Sequence, residues 1–376
     1  MSLIVSGGDF NQKHTATALE RGAISAADIA QALRRSIGAL VRTGFFDPAE
    51  MQPDRQISPD AVNTADTQAL ALRTAIEGIV LLKNTPSPIA TAFTLPWSAE
   101  GAPILALIGP LRNAATAMLL NYFGSAPFIV SPLEALQTAG FAVVVVAGCA
   151  IDGDDESGFA EAVAVAQKAH FVLFVGGITT AQEDEARDRT SIDLPLIQEK
   201  LIGAISAAMQ GEHSHPFATA FFGSGPVDYS AAVHSRAGAI LWLGYPGQSG
   251  GAALAAVLTG AASPAGRLVT TVYPAAYAQQ VSMLDMSFRP SATNPGRTYR
   301  FYPPDLAVFE FGFGMSYTKF VFEWMQGDES DTSLSDSATD DSAQVESFPV
   351  RQLHGAHLLG RRPSGGQLAR QRHQRR

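Results

Sequence analysis

Six charged side chains crowd into seven consecutive residues: Glu183, Asp184, Glu185, Arg187, Asp188 and Arg189, with only Ala186 between them uncharged. They close a segment, Gly176–Arg189, that follows the apolar run Phe171–Val175 and opens with two glycines. A carboxyl group partly desolvated beside other carboxylates has its pKa raised, and a general acid working near neutral pH needs such a shift. The adjacent arginines push the other way and could equally hold the acids as salt-bridged staples of the loop. Residue types alone leave both readings open.

Other chemistries find less support. No GxGxxG or GxxxxGK[ST] cradle occurs, so no nucleotide cofactor is expected. The eight histidines show no metal-ligand spacing: His213 and His215 stand two apart in a polar loop, and three more lie near the C-terminus. Neither a metal nor any cofactor is therefore expected. The single cysteine, Cys149, rules out an intrachain disulfide and, following the apolar run Phe141–Ala147, reads as a buried structural thiol. A formal charge of −9 argues against a nucleic-acid partner. No apolar run approaches the ~20 residues of a membrane span, so no membrane association is expected. The opening MSLIVSGGDF has neither a basic n-region nor an apolar h-region, which reads as no signal peptide and, as written, a cytoplasmic chain.

The 376 residues, 46% hydrophobic and 16% charged, suit roughly two globular domains. In the first segment Leu3–Val5 reads as a strand. A helix opens at Ala26, capped by Ser25, with Ile29, Leu33, Ile37, Leu40 and Val41 at helical spacing and Gly44 as the stop. One strand and one helix bury too little to stand alone, so residues 1–48 read as the end of a domain. Residues 49–65 are polar with two prolines and read as a linker. A helix is predicted over Thr67–Leu81. From Ile104 the pattern is regular: strands at Ile104–Ile108, Phe141–Ala147, Phe171–Val175, Phe217–Phe222 and Ala239–Leu243. Helices alternate with them at Ser131–Thr138, Phe159–Ala169, Pro195–Met209 and Gly250–Leu258. Near-continuous apolar strands alternating with helices predict an α/β fold, a mostly parallel sheet covered on both faces. Glycines follow almost every strand, at the carboxyl ends where such sheets bind ligands. Trp242 reads as core. The chain turns irregular and aromatic over 276–325. Beyond that, Gln326–Ser347 holds seven acidic residues and no basic one, and Arg351–Arg376 seven arginines and no acidic one. Residues 326–376 therefore read as a disordered tail.

The charged loop also belongs to a wider pattern. The run Glu185-Ala186-Arg187-Asp188-Arg189-Thr190-Ser191-Ile192-Asp193-Leu194-Pro195 resembles the acid/base segment of family-3 glycoside hydrolases. The match continues in order through Gly78–Asn84, Ala106–Pro110, Asn121–Gly124, Ser131–Leu133, Gly225–Ser230, Gly244–Gly251 and Pro264–Leu268. It closes on Pro295–Tyr302 and Phe311–Thr318. With a weaker match of the first segment, the resemblance covers roughly residues 3–325. Thr298–Tyr302 and the paired glutamates are most similar to the β-xylosidase branch, with β-glucosidases the nearer alternative.

That resemblance implies an α/β sandwich over 66–275, preceded by a remnant of a (β/α)8 barrel (its last strand and helix, 1–48). It implies an extension over 276–325 toward a fibronectin-like domain that this chain does not show. It implies Glu185 as acid/base, by its four-residue distance to Arg189, with Glu183 the less favoured choice. Asn121 and Tyr122 would line the sugar pocket. The aspartate nucleophile of the family's barrel would be absent from the chain, Asp9 being read as structural. The implied activity is hydrolysis of terminal β-1,4-xylosyl residues with retention, in xylan breakdown, on a xylo-oligosaccharide or aryl β-glycoside. The isolated chain is then expected to be inactive. A non-catalytic sugar-binding module and a truncated product are the rival expectations. Complete members of the family are often secreted, so the native location stays open.

Overall fold

The computed structural model describes residues 8–86, 93–122 and 124–320, with backbone alone for 8–12. It falls into two compact units that divide between Gln68 and Ala69. The strand expected at Leu3–Val5 and the tail expected over 326–376 lie outside the described residues.

In the first unit α1 (Gly8–Glu20) is a helix that the sequence reading did not anticipate, because its few apolar residues do not keep a helical period. Asp9 lies in it. α2 (Ala26–Arg42) starts where expected, on a reciprocal capping box. The Asp28 amide donates to Ser25 Oγ at 3.2 Å, and the Asp28 carboxylate accepts from the Ser25 amide at 2.9 Å. The Ser25 hydroxyl also donates to the Asp28 carboxylate at 2.7 Å, and this bond, followed by that from the Ser25 amide, holds the Asp28 carboxyl below its ordinary pKa. No residue of α2 is buried, and its apolar stripe of Leu33, Ile37, Leu40 and Val41 is exposed. Residues 49–61 carry three short 3-10 turns where the linker was expected.

The second unit is built on a six-stranded sheet. Its strands are β1 (Val80–Asn84), β2 (Ile104–Ile108), β3 (Ala142–Val146), β4 (Phe171–Gly177), β5 (Phe217–Phe222) and β6 (Ala239–Gly244), in spatial order β1-β6-β5-β4-β2-β3. Every pairing is parallel except that of β1 with β6. Five of the strands fall where the apolar runs place them. The helix expected over Thr67–Leu81 is α3 (Ala65–Gly78), which stops at Gly78; the aliphatic run beyond it is β1. A helix and a strand joined by one residue read as one continuous apolar segment, which is why the boundary was missed.

Helices cover both faces. Leu105 and Leu107 point into one cluster, with Ala135 and Leu136 of α4 (Pro132–Thr138) and Leu254, Val257 and Leu258 of α8 (Gly250–Thr259). Ala106 and Ile108 point into the other. There they meet Ala162 and Ala166 of α5 (Phe159–Lys168), Leu201 and Ile205 of α6 (Leu196–Ala208) and Ala232 of α7 (Ser230–His234). This is the expected α/β sandwich. Its coverage thins at the edge strand β3, where Val144 and Val145 are exposed. The opposite edge is closed: the Met315 amide donates to the Leu81 carbonyl of β1 at 2.8 Å. The segment over 276–320 has two short helices, α9 (Ala276–Gln280) and α10 (Thr298–Phe301), gathered on a cluster of Tyr273, Tyr277 and Tyr302.

Candidate active site

β2 is followed by β3 on one side of the sheet, whereas β4, β5 and β6 run out on the other, so the strand order reverses between β2 and β4. At such a switch point the loops leaving the carboxyl ends part and open a crevice. The charged loop is one of the two that flank it. The other, after β2, carries Asn121 and Tyr122.

The exit from β4 is tightly specified. Gly177 has φ +116°, and a Cβ there would lie 2.0 Å from the Phe222 carbonyl oxygen of β5, so only glycine fits. Gln198, fully buried on α6, clamps the same peptide: its Oε1 accepts from the Gly177 amide and its Nε2 donates to the Gly177 carbonyl, both at 2.8 Å. The second Nε2 hydrogen goes to the Ile151 carbonyl at 2.7 Å. Beyond this clamp the chain turns back on itself. Arg187 donates to the Thr180 and Ala181 carbonyls at 3.0 and 2.9 Å and closes the base of the loop.

The three neighbouring acids then meet different fates. Glu183 is half-buried and accepts from the Ser224 amide (2.7 Å), the Ser224 hydroxyl (3.2 Å), the Gly225 amide (2.9 Å) and the Tyr245 hydroxyl (2.9 Å). Arg189 stands 3.8 Å from it and donates to the Pro226 carbonyl at 2.9 Å. A Cβ at Gly225 would come to 2.5 Å from both Glu183 Oε2 and Arg189 Nη2, so the glycine leaves room for these side chains where they stand. Asp184 turns the other way. Its Oδ1 accepts from Asn121 Nδ2, across the crevice, and from the Glu185 amide at 2.7 Å. The Arg187 amide donates to the Asp184 carbonyl at 3.0 Å, closing a turn with Glu185 and Ala186 at its tip. Ala186 sits at φ +60°, uncommon for a residue with a side chain. Glu185 is exposed at that tip, and among the described residues no side-chain bond holds its carboxyl group.

Asn121 thus spends its amide on the loop strut. Tyr122, beside it at φ +57°, is 84% exposed. The residues that shape the loop were not singled out by sequence reasoning: Ser224, Tyr245 and Gln198 lie on other elements. Ser224 and Tyr245 fall in glycine-rich turns after β5 and β6, and Tyr245 also lies in the matching run Gly244–Gly251; neither signal points to Glu183. Burial, and then the bond to the Glu183 carboxylate, raise the Tyr245 phenol pKa. Burial and the Glu183 charge do the same to Tyr229. Trp242, read as core, packs partly buried against the sheet and donates to the Gly223 carbonyl at 3.0 Å. Cys149 is buried, as read, and desolvation lifts its thiol to about 11. A cleft of about 640 Å³ opens on the far side of the loop, lined by Gln182, Arg189, Asp193, Leu194 and Glu199 among others, but not by Glu185. Burial, with Asp193 and Asp228 nearby, raises the Glu199 pKa.

This sheet, with an acidic loop at its switch point, matches the glycosyl hydrolase family 3 C-terminal domain over residues 79–317, and the chain belongs to that family. Among its relatives, the exo-1,4-β-xylosidase of Emericella nidulans is 42% identical over 318 residues, covering 84% of this chain and 40% of that protein. A probable exo-1,4-β-xylosidase of Aspergillus fumigatus is 44% identical over 313 residues, covering 83% of this chain and 38% of its own length. A solved family-3 exo-β-xylosidase, in complex with a xylobiose aziridine activity-based probe, superposes with a TM-score of 0.73 at 40% identity, over 82% of this chain and 38% of that one. The chain spans about 40% of the length of the curated relatives it matches.

Proposed function

We propose that this chain supplies the acid/base side of a retaining exo-β-xylosidase active site, with Glu185 as the proton donor. The observation that carries this reading is the contrast within the loop. Glu183 and Asp184 are consumed as hydrogen-bond acceptors, and Glu185 is presented at the tip of the turn with its carboxyl group unbonded among the described residues. An acid/base must hold a proton in one step and lack it in the next. The Glu183 carboxylate already spends both oxygens on two amides and two hydroxyls of the loops after β5 and β6, which keeps it from reaching a glycosidic oxygen. Family membership and the xylosidase relatives support the reaction class.

In the reaction, Glu185 would protonate the glycosidic oxygen as the bond to the terminal xylosyl unit breaks. It would then take a proton from the water that releases xylose from the enzyme. Retention needs a second carboxylate about 5–5.5 Å away as nucleophile. We place that group in the part of the protein that the longer relatives have beyond the matched region. Relatives named as xylosidases at 40–44% identity favour a xylo-oligosaccharide over a glucoside as substrate. Aryl β-xylosides would be turned over by the same assembled site.

The purified 376-residue chain is accordingly expected to release no nitrophenol from 4-nitrophenyl β-xyloside above the buffer rate. Hydrolysis by this chain that disappears on Glu185→Gln would overturn the division of the site between two parts.

A further inference from the structure

Glu183 ties together three strand ends: its own loop after β4, Ser224 and Gly225 after β5, and Tyr245 after β6. Asp184, the next residue, reaches across the switch point to Asn121 beyond β2. The two residues before Glu185 therefore anchor its turn in opposite directions along the sheet. We infer that Glu183, with Tyr245 as its side-chain donor, is a positioning residue that fixes the Glu185 turn over the crevice. This deepens the acid/base reading and rests on it.

Three features make Glu183 an anchor. Both of its oxygens are engaged, and two of the donors are backbone amides that would otherwise lose their partner. Gly225 leaves room beside its Cα for the Glu183 carboxylate and the Arg189 guanidinium, so the backbone lets its amide meet Glu183 Oε2 at 2.9 Å. The loop also has its own internal bracing, through Arg187 to Thr180 and Ala181 and through the Glu183 amide to the Thr179 carbonyl at 2.9 Å. Loss of the Glu183 carboxylate would therefore leave a folded loop no longer registered against β5 and β6. Registration matters because an acid displaced by about 1 Å can lose on the order of 100-fold in rate.

The test uses the 376-residue chain itself in four forms: unsubstituted, Glu183→Gln, Tyr245→Phe and the double variant. Amide hydrogen exchange is followed residue by residue, with the carboxyl line of Glu185 observed in chain labelled with ¹³C-glutamate. Exchange at Glu185–Arg187 is expected to rise about tenfold in Glu183→Gln and roughly two- to fivefold in Tyr245→Phe, as for loss of a charged and of a lesser hydrogen bond. The double variant is expected to be no faster than Glu183→Gln, since the two act as one unit. The Glu185 line should broaden or split, while amides of β4 and β5 keep their exchange rates. An unchanged Glu185 line with unchanged exchange at 185–187 would overturn the proposal. So would acceleration spread equally over β4 and β5, which marks a general structural role. Because no turnover is measured, failure here is separate from failure of Glu185 as the acid.

Discussion

Two glutamates stand two positions apart in the loop after β4, and their surroundings set them to different tasks. Glu183 faces two amides and two hydroxyls and remains an acceptor; Glu185 faces solvent at the tip of a turn. Sequence reasoning could distinguish them only by the spacing from Glu185 to Arg189. The donors that decide the matter come from Ser224 and Tyr245, 41 and 62 positions further along, where no local pattern reaches. Cys149 was easier to read, because a thiol after an apolar strand has few fates besides burial. Its pKa is raised to about 11 by desolvation, with the Arg112 charge opposing. At pH 8 a thiol of that pKa is about one part in a thousand thiolate, the reactive form. We expect Ellman's reagent to label the native chain at least about 100-fold more slowly than the urea-unfolded chain, and the native rate to rise as pH is taken toward 11.

At the scale of elements, the loop depends on how β4 ends. A Cβ on Gly177 would lie 2.0 Å from the Phe222 carbonyl oxygen of β5, and the residue has φ +116°, while Gln198 clamps its peptide from α6. Gly177→Ala should therefore destabilise the chain by roughly 2 kcal/mol or more, combining backbone strain with a steric clash. Urea unfolding would show this as a lower midpoint, and an unchanged midpoint would mean that the approach is not required. The strands were legible because a sheet covered on both faces writes itself as uninterrupted aliphatic runs. β1 was not, since Ile79–Leu82 continues the apolar character of α3 with only Gly78 to mark the change. α1 was missed for the opposite reason: its sequence is polar enough to hide the period. The glycines after β2 to β6 marked the carboxyl ends of the strands, yet not which loop would meet which. That follows from the reversal between β2 and β4, a property of strand order that no single segment contains.

For the whole molecule, the resemblance read from collinear motifs agrees with the family match over residues 79–317 and with a fold superposition at a TM-score of 0.73. The chain spans about 40% of its curated relatives, and a retaining site needs two carboxylates. The central claim is that Glu185 is the carboxyl group that protonates the departing sugar. The most direct measurement joins this chain behind the N-terminal portion of the Emericella nidulans relative and compares leaving groups. In that protein Glu185→Ala should lower kcat/KM on xylobiose by about 10²–10⁴-fold, the usual contribution of a general acid. The loss should be far smaller on a dinitrophenyl β-xyloside, whose leaving group needs little protonation, and Glu183→Ala, which displaces the acid without removing it, should show a weaker dependence of the same kind. An equal loss from Glu185→Ala on both substrates, or a leaving-group dependence that follows Glu183 instead, would contradict the assignment.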